Sequence, residues 1–310
     1  MKHGISSLAL ATDSRSTCLQ TWSLSMGRAV ETMTTKSQPE PSRQSDALQN
    51  RAIHVGARTV EFLEAGSGPT VLLIHGWALT HNAYGGVIAK LAKAGMHVVA
   101  PALPGCGGSS ALPSNETSFV GYAKWLNNFV NELELAKPAS VIGHSFGGGV
   151  AIQYAHDFTD DVSRLVLVSS IGGATWMHSA DNTNVRSLSD RPFWDWGRHL
   201  SSELFPLRQL FRVTPSLLAD AIPNILRHPG SVAKTADLAR SADLHVELDQ
   251  LRQRGIPVTV FWGTRDRVIP RASFETLCSA LGQQGTEVDG THSWILSNPT
   301  AFAEALGKSA

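Results

Sequence analysis

The chain contains little cysteine, no excess charge of either sign and no long apolar run. Its three cysteines among 310 residues, Cys18, Cys106 and Cys278, fit neither a disulfide framework nor a zinc cluster, which indicates reduced thiols and a cytoplasmic location. Lys+Arg and Asp+Glu number 26 each, so no basic surface for nucleic acid is expected. No segment reaches the roughly 18 consecutive apolar residues of a membrane-spanning helix.

The first fifty residues also lack apolar periodicity. Ser, Thr, Gln and Pro are frequent there, and residues 1–50 are therefore predicted to form a disordered tail. A secretory signal is disfavoured because the short apolar segment at 8–11 stops at Thr12. An alternative interpretation is that translation begins at Met26 or Met33 and that the preceding residues result from a misassigned start codon.

From residue 51 onward, short apolar segments alternate with segments of helical periodicity. The first two, at 52–55 and 59–63, are predicted to form an antiparallel pair. Further strands are predicted near 71–74, 97–100, 140–142, 165–168, 258–262 and 286–288, and helices near 84–93, 119–134 and 150–157. Alternation of this kind indicates an α/β fold with a parallel sheet.

The alternation stops after residue 171. No strand is predicted until about residue 246, and helices are predicted at 191–204, 216–226 and 232–244. Residues 172–245 are therefore interpreted as a helical insertion between the core segments 51–171 and 246–310. Most of its many large apolar side chains are expected to pack the insertion onto the core, and a few to line an apolar pocket.

The most informative motif is Gly-His-Ser-Phe-Gly at positions 143–147. It follows an apolar strand and precedes a helix, which is the context of a nucleophile elbow, a sharp turn that exposes a serine to substrate. Ser145 is the candidate nucleophile, and Gly143 and Gly147 permit the close approach of strand and helix. For an isolated match, a turn or flexible loop would be the favoured interpretation, so the assignment depends on partner residues.

The partner residues occur in the required chain order of serine, acid and histidine. Asp266 follows the predicted strand at 258–262, and His292 lies in the last loop before a final helix. Asp266 could also be a simple turn residue, and most of the 12 histidines are expected to be structural or solvated. His75 and His144 receive no chemical role. Ser145, Asp266 and His292 are the predicted catalytic triad.

Acyl transfer also requires two N–H groups that stabilise the oxyanion. The N–H of Phe146, directly after the predicted nucleophile, is one candidate. The second is expected from the loop after the strand that ends at Ile74, where Trp77 is the first choice and Ala78 the alternative.

Together these motifs resemble the α/β-hydrolase fold superfamily, in its serine-nucleophile, esterase- or lipase-like branch with a helical cap. The shared features are His-Gly-Trp at 75–77, the glycine-rich loop at 103–109, the elbow, and the loops of Asp266 and His292. The resemblance implies a mostly parallel eight-stranded sheet with helices on both faces and a cap inserted after strand 6. Ala102 departs from the pattern, since the superfamily usually carries Asp there.

The resemblance implies a serine hydrolase that cleaves a carboxylic ester or related acyl bond of an apolar small molecule or lipid, without a cofactor or metal. Because fold does not fix function, carbon-carbon bond hydrolysis of ring-cleavage diketones stays an alternative, and cofactor-free perhydrolysis is a third. A receptor that senses a small ligand on a hydrolase scaffold is an alternative of another class. Dehalogenases and epoxide hydrolases of the superfamily carry Asp at the elbow, so Ser145 argues against both.

Trp194, Trp196 and Trp294 are the candidate substrate-binding residues. Replacing Trp194 or Trp196 by Ala is expected to impair hydrolysis of long hydrophobic esters and to spare small esters, because an apolar wall contacts only the chain of the substrate. A chain-length series of p-nitrophenyl esters measures this selectivity. An unchanged chain-length preference in both variants would contradict the assignment.

Overall fold

The computed structural model describes residues 47–177, 186–191 and 214–309. Its first strand begins at Gln49, so the last two residues of the predicted tail, which was to end at residue 50, belong to this strand. Residues 1–46 of the predicted tail lie outside the described residues. The strands are β1 (Gln49–Val55), β2 (Arg58–Ala65), β3 (Thr70–Ile74), β4 (His97–Pro101), β5 (Ala139–His144), β6 (Val162–Val168), β7 (Thr175–Met177), β8 (Arg186–Ser187), β9 (Val258–Gly263) and β10 (Thr286–Val288).

Within these residues, eight strands form one sheet in the order β1-β2-β4-β3-β5-β6-β9-β10. β2 pairs antiparallel with β1 and β4, and every other neighbouring pair is parallel. The prediction of a mostly parallel eight-stranded sheet is confirmed. β3 and β5 are neighbours, with Ile74 opposite Gly143, so the loops that follow them emerge side by side at one sheet edge.

The first three helices in the described part of the chain are those that the sequence predicted near 84–93, 119–134 and 150–157. Several of the later helices were not predicted. Ser118 and Asn298 cap two of them by accepting the N–H groups of Gly121 and Ala301. None of these helices is long and apolar enough to cross a membrane. They are α1 (Gly85–Lys93), α2 (Phe119–Glu132), α3 (Phe146–Asp157), α4 (Thr214–Arg227), α5 (Pro229–Arg240), α6 (His245–Gln253), α7 (Arg271–Ala280), α8 (Trp294–Ser297) and α9 (Pro299–Lys308).

Successive residues of β3 belong to two core layers on opposite faces of the sheet. Leu72 and Ile74 lie in the layer that contains side chains of α2, α3, α6 and α7, whereas Val71 and Leu73 lie in the layer that contains side chains of α1, α8 and α9. Because helices cover both faces, the strand is apolar from Val71 to Ile74 instead of alternating between apolar and polar residues.

The insertion after β6 contains strands that the sequence analysis did not predict. β7 and β8 pair antiparallel, and Gly172 and Gly173 form bridges to Asp243. The prediction that this region lacks strands is therefore wrong. β7 and β8 contain only three and two residues, too few for an apolar alternation to be recognised.

Two of the three predicted insertion helices lie in the described residues. The helix predicted at 216–226 corresponds to α4, and the one predicted at 232–244 corresponds to α5. α5 ends at Arg240 because the chain then turns, so that the N–H of Leu244 donates to the carbonyl oxygen of Gly172 at 3.1 Å. The helix predicted at 191–204 lies almost entirely outside the described residues.

α3 packs against β5 and against the end of β3 at distances that only glycine permits. A Cβ placed on Gly143 would lie 2.5 Å from the carbonyl oxygen of Gly147 and 2.6 Å from Cα of Gly148. A Cβ placed on Gly147 would lie 2.3 Å from the carbonyl oxygen of Ile74. These neighbours are backbone atoms, which cannot give way without moving the strand or the helix.

Gly143→Ala is accordingly expected to lower the free energy of unfolding by about 1–3 kcal/mol, the usual cost of overpacking. Gly307→Ala in α9 is a matched control, because a Cβ at Gly307 has no neighbour within 4 Å. The control should be unchanged or up to about 1 kcal/mol more stable. Urea unfolding of both variants measures the difference, and equal stability would show that the crossing tolerates a side chain.

Candidate active site

Ser145 lies in the turn between β5 and α3. Its φ of 54° and ψ of −117° are disfavoured for a residue with a side chain and cost about 1–3 kcal/mol. The turn is held by the N–H of Ser145, which donates to the carbonyl oxygen of Val168 at 3.0 Å, and by the N–H of Gly148, which donates to the carbonyl oxygen of Ser145 at 2.9 Å. This geometry is that of a nucleophile elbow.

His292 follows β10 and lies between Ser145 and Asp266. The hydroxyl of Ser145 donates to Nε2 of His292 at 2.9 Å, and Nδ1–H of His292 donates to Oδ2 of Asp266 at 2.9 Å. The three residues predicted from the sequence are thus brought together in one hydrogen-bonded chain. Such a chain can move a proton from the serine hydroxyl to the imidazole and stabilise the imidazolium that results.

Asp266 lies in the turn after β9, and its side chain is 0 % exposed. Its Oδ1 accepts the N–H groups of Val268 and Ile269, each at 2.9 Å. Its other oxygen is therefore left facing His292. The two backbone N–H groups and the imidazole of His292 thus bind the two carboxylate oxygens of Asp266.

The loop after β3 borders the predicted nucleophile. A Cβ placed on Gly76 would lie 3.4 Å from Cβ of Ser145, and the indole Nε1–H of Trp77 donates to the carbonyl oxygen of Val232 at 3.0 Å. Among the described residues, the backbone N–H groups of Trp77 and Phe146 have no acceptor; that of Phe146 is free because it opens α3.

Two histidines near the triad, His75 and His144, are buried and neutral. Burial lowers the pKa of His75 to about 4. It lowers that of His144 to about 3, with a further contribution from the charge of His292. Nδ1–H of His75 donates to the carbonyl oxygen of Gly76 at 2.8 Å, and its Nε2 accepts the N–H of Leu103 at 2.8 Å. His75 thereby joins the loops after β3 and β4, directly beside Ala102.

Arg191, in the insertion, supports the turn that presents Asp266. Its guanidinium donates to the carbonyl oxygens of Arg267 and Val268, each at 2.8 Å, and the residue is 2 % exposed. The N–H of Val268 in turn binds the carboxylate of Asp266. The sequence analysis missed this residue, because an arginine that is buried by tertiary contacts has no local signal that separates it from a surface arginine.

Helix α4 of the insertion binds the loops at the same sheet edge through polar side chains. Oδ2 of Asp220 accepts the N–H of Thr80 at 2.6 Å. The side chain of Asn224 donates to the carbonyl oxygen of Ala78 at 3.2 Å and accepts the N–H of Gly107 at 2.9 Å. The insertion therefore contacts both the loop after β3 and the glycine-rich loop after β4.

The structure corrects the prediction for Trp294, which it places in the hydrophobic core. The residue is 2 % exposed, and its ring packs edge-on against Phe261 and Phe302 with centroids 6.2 and 5.8 Å away. The ring of Trp294 lies in the core layer that contains side chains of α1 and α9. It therefore does not line a binding surface at Ser145. Trp194 and Trp196 lie outside the described residues.

Histidine, cysteine and acidic side chains form no group of three or more that could hold a metal ion in residues 47–177, 186–191 and 214–309.

Comparison with known proteins identifies the family. Residues 69–299 match the model of the alpha/beta hydrolase fold family, and the chain belongs to this family, as predicted. An uncharacterized protein of Mycobacterium tuberculosis is 34% identical over 250 residues, or 72% of this chain and 68% of the relative. The monoacylglycerol lipase ABHD6 of Rattus norvegicus is 27% identical over 260 residues, or 78% and 75%.

A solved structure supports the same fold. The crystal structure of a membrane phospholipase A superposes with a TM-score of 0.66 at 23% sequence identity, over 85% of this chain and 86% of that chain.

The buried neutral histidines make stability sensitive to acid. Their pKa values of about 4 and about 3 lie below the value of about 6.5 in an unfolded chain. The unfolded state therefore binds more protons below about pH 6.5, and the free energy of unfolding falls as the pH decreases toward 4. Urea titrations at about pH 7.5 and about pH 5 measure this loss.

His144→Gln is expected to lose less stability over this interval than the wild type, whatever its stability at neutral pH. His54→Gln, at an exposed position of β1, is the control and should keep the wild-type loss. An undiminished loss in His144→Gln would contradict the neutral, buried state of His144.

Proposed function

We propose that this chain is a serine hydrolase that cleaves a carboxylic ester of an apolar small molecule or lipid through an acyl-enzyme. The observation that supports this most directly is the hydrogen-bonded chain from Ser145 through His292 to Asp266, with both bonds at 2.9 Å. An alkyl hydroxyl is a weak nucleophile at neutral pH, and a base oriented by an acid is the arrangement that activates it.

In the acylation step, Nε2 of His292 accepts the proton of Ser145 while the serine oxygen attacks the ester carbonyl. The negative charge that develops on the carbonyl oxygen is stabilised by the N–H groups of Trp77 and Phe146. Each such donor typically contributes about 3–4 kcal/mol to the lowering of the barrier. Collapse of the tetrahedral intermediate transfers the proton from His292 to the departing alcohol and leaves the acyl group on Ser145.

In the deacylation step, His292 accepts a proton from water while the water oxygen attacks the acyl carbonyl. The same two N–H groups stabilise the negative charge that develops on the carbonyl oxygen. The carboxylate of Asp266 stabilises the imidazolium in both steps and keeps the proton of the neutral ring on Nδ1. The proton then returns to the oxygen of Ser145, and the acid is released.

The apolar substrate class is supported by two observations. One relative that aligns with most of this chain is a monoacylglycerol lipase. The insertion at residues 172–245, which we propose to be the cap of the site, carries many large apolar side chains, the kind that line pockets for apolar ligands.

Ser145→Ala is expected to lower kcat/KM for p-nitrophenyl esters on the order of 10⁶-fold, because the covalent step is lost while the fold is kept. Intact-mass labelling with a fluorophosphonate measures the same activated serine directly, and the variant should not be labelled. Ser273→Ala is a matched control, since Ser273 is also buried and its hydroxyl has no partner among the described residues.

Labelling that persists in Ser145→Ala would contradict the proposed nucleophile. A folded wild type that is neither labelled nor active on esters would contradict the proposed activity and favour a ligand-binding role for the scaffold.

A further inference from the structure

Two fully buried side chains beside the triad, Tyr84 and His144, have no part in the proton transfers described above. Tyr84 precedes α1 and is 0 % exposed, and His144 ends β5 and is 1 % exposed. The two residues are 60 positions apart in the chain. Buried polar groups of this kind are stabilising only when their hydrogen bonds are satisfied. The partners of Tyr84 and His144 belong to the loop after β3 and to the loop of His292.

The direction of each hydrogen bond follows from the groups involved. Nε2 of His144 lies 3.1 Å from the carbonyl oxygen of His292, and a carbonyl oxygen only accepts, so Nε2 carries the proton. Nδ1 of the neutral ring is then an acceptor, and the hydroxyl of Tyr84 donates to it at 2.6 Å. The oxygen of Tyr84 in turn accepts the N–H of Gly76 at 2.9 Å.

The two ends of this chain of hydrogen bonds are the two parts of the site that must be aligned around the nucleophile. One end is the backbone of His292, the proposed base. The other end is Gly76, which precedes the proposed oxyanion donor Trp77 and approaches Ser145 closely. The ring of His144 also packs against that of His292, with centroids 5.0 Å apart.

Burial supports this arrangement by keeping His144 neutral. Because its pKa is lowered to about 3, the ring keeps one acceptor and one donor at physiological pH. A protonated His144 would have no acceptor for Tyr84, and its charge would oppose the formation of the His292 imidazolium.

We propose that Tyr84 and His144 are positioning residues that hold the oxyanion loop at Gly76–Trp77 and the base His292 in register around Ser145. The proposal rests on the proposed function, because it assigns these residues a role in that reaction. Their effect is exerted through the backbone groups they bind, the N–H of Gly76 and the carbonyl oxygen of His292.

The test compares Tyr84→Phe, His144→Leu and the double variant with the wild type. Both kcat and KM for p-nitrophenyl butyrate and the rate of fluorophosphonate labelling are measured. Each single variant is expected to lower kcat and the labelling rate by about 10- to 100-fold, the effect of a misplacement of up to about 1 Å, with KM within about twofold. The double variant should be no slower than the slower single variant, because residues of one chain of hydrogen bonds are not additive.

Two further variants separate positioning from packing. Tyr154→Phe is the control, because Tyr154 is also a buried tyrosine but packs against Phe158 away from the triad, and its kcat should stay within about twofold of the wild type. His144→Gln retains a donor and an acceptor and should recover part of the kcat that His144→Leu loses. Thermal unfolding of every variant shows that the fold is kept.

A Tyr84→Phe variant with wild-type kcat and labelling rate would overturn the proposal while leaving the proposed function intact, because the wild type would still be labelled. A wild type without labelling or turnover would refute the proposed function instead.

The hydrogen-bond chain itself is tested without activity, by ¹⁵N NMR of the histidine rings in the intact protein. His144 is expected to be neutral with its proton on Nε2 between about pH 6 and about pH 8. A proton on Nδ1, or a charged ring in this range, would overturn the proposal whatever the activity.

Discussion

The close crossing of β5 and α3 is the constraint on which the rest of the site depends. Because Gly143 carries no Cβ, α3 starts immediately behind β5, and because Gly147 carries none, the helix also approaches the end of β3. Ser145, between these two glycines, is held with a φ of 54°. The same turn leaves the N–H of Phe146 without an intrahelical acceptor. One steric condition therefore places both the proposed nucleophile and one proposed oxyanion donor, which explains why a short glycine motif carries so much information.

Around this turn, the site is built mainly from neutral hydrogen bonds, with the carboxylate of Asp266 as the charge within the triad. Two backbone N–H groups bind one of its oxygens, and burial keeps His75 and His144 uncharged. In a buried environment every satisfied hydrogen bond is stronger and every unsatisfied group is costlier than in water. Neutral histidines can thus position loops without opposing the positive charge that His292 acquires in the proposed reaction.

The described part of the insertion contributes to the site through polar contacts. Arg191 supports the turn of Asp266, and Asp220 and Asn224 hold the loop after β3. Leu226, on the same helix as Asp220 and Asn224, is 75 % exposed. A hydrogen bond between neutral groups contributes about 0.5–1.5 kcal/mol net and one to a charged group such as the Asp220 carboxylate about 1.5–3 kcal/mol, so these contacts make a substantial contribution to holding α4 on the loops.

The sequence by itself determined the sheet and the three members of the candidate triad. Apolar strand segments are local patterns, and residues that directly follow parallel strands converge at one edge, so Ser145, Asp266 and His292 could be placed together without coordinates. Tertiary structure alone brought Tyr84 to His144, 60 positions away, and Arg191 to the carbonyl oxygens of Arg267 and Val268, more than 70 positions away. The tertiary structure also places Trp294 in the core, because proximity to His292 in the sequence does not determine the direction in which a side chain points. Local periodicity in the sequence predicts helices and strands. A buried hydrogen bond depends instead on which atoms, distant in the chain, the packed helices and strands bring close together.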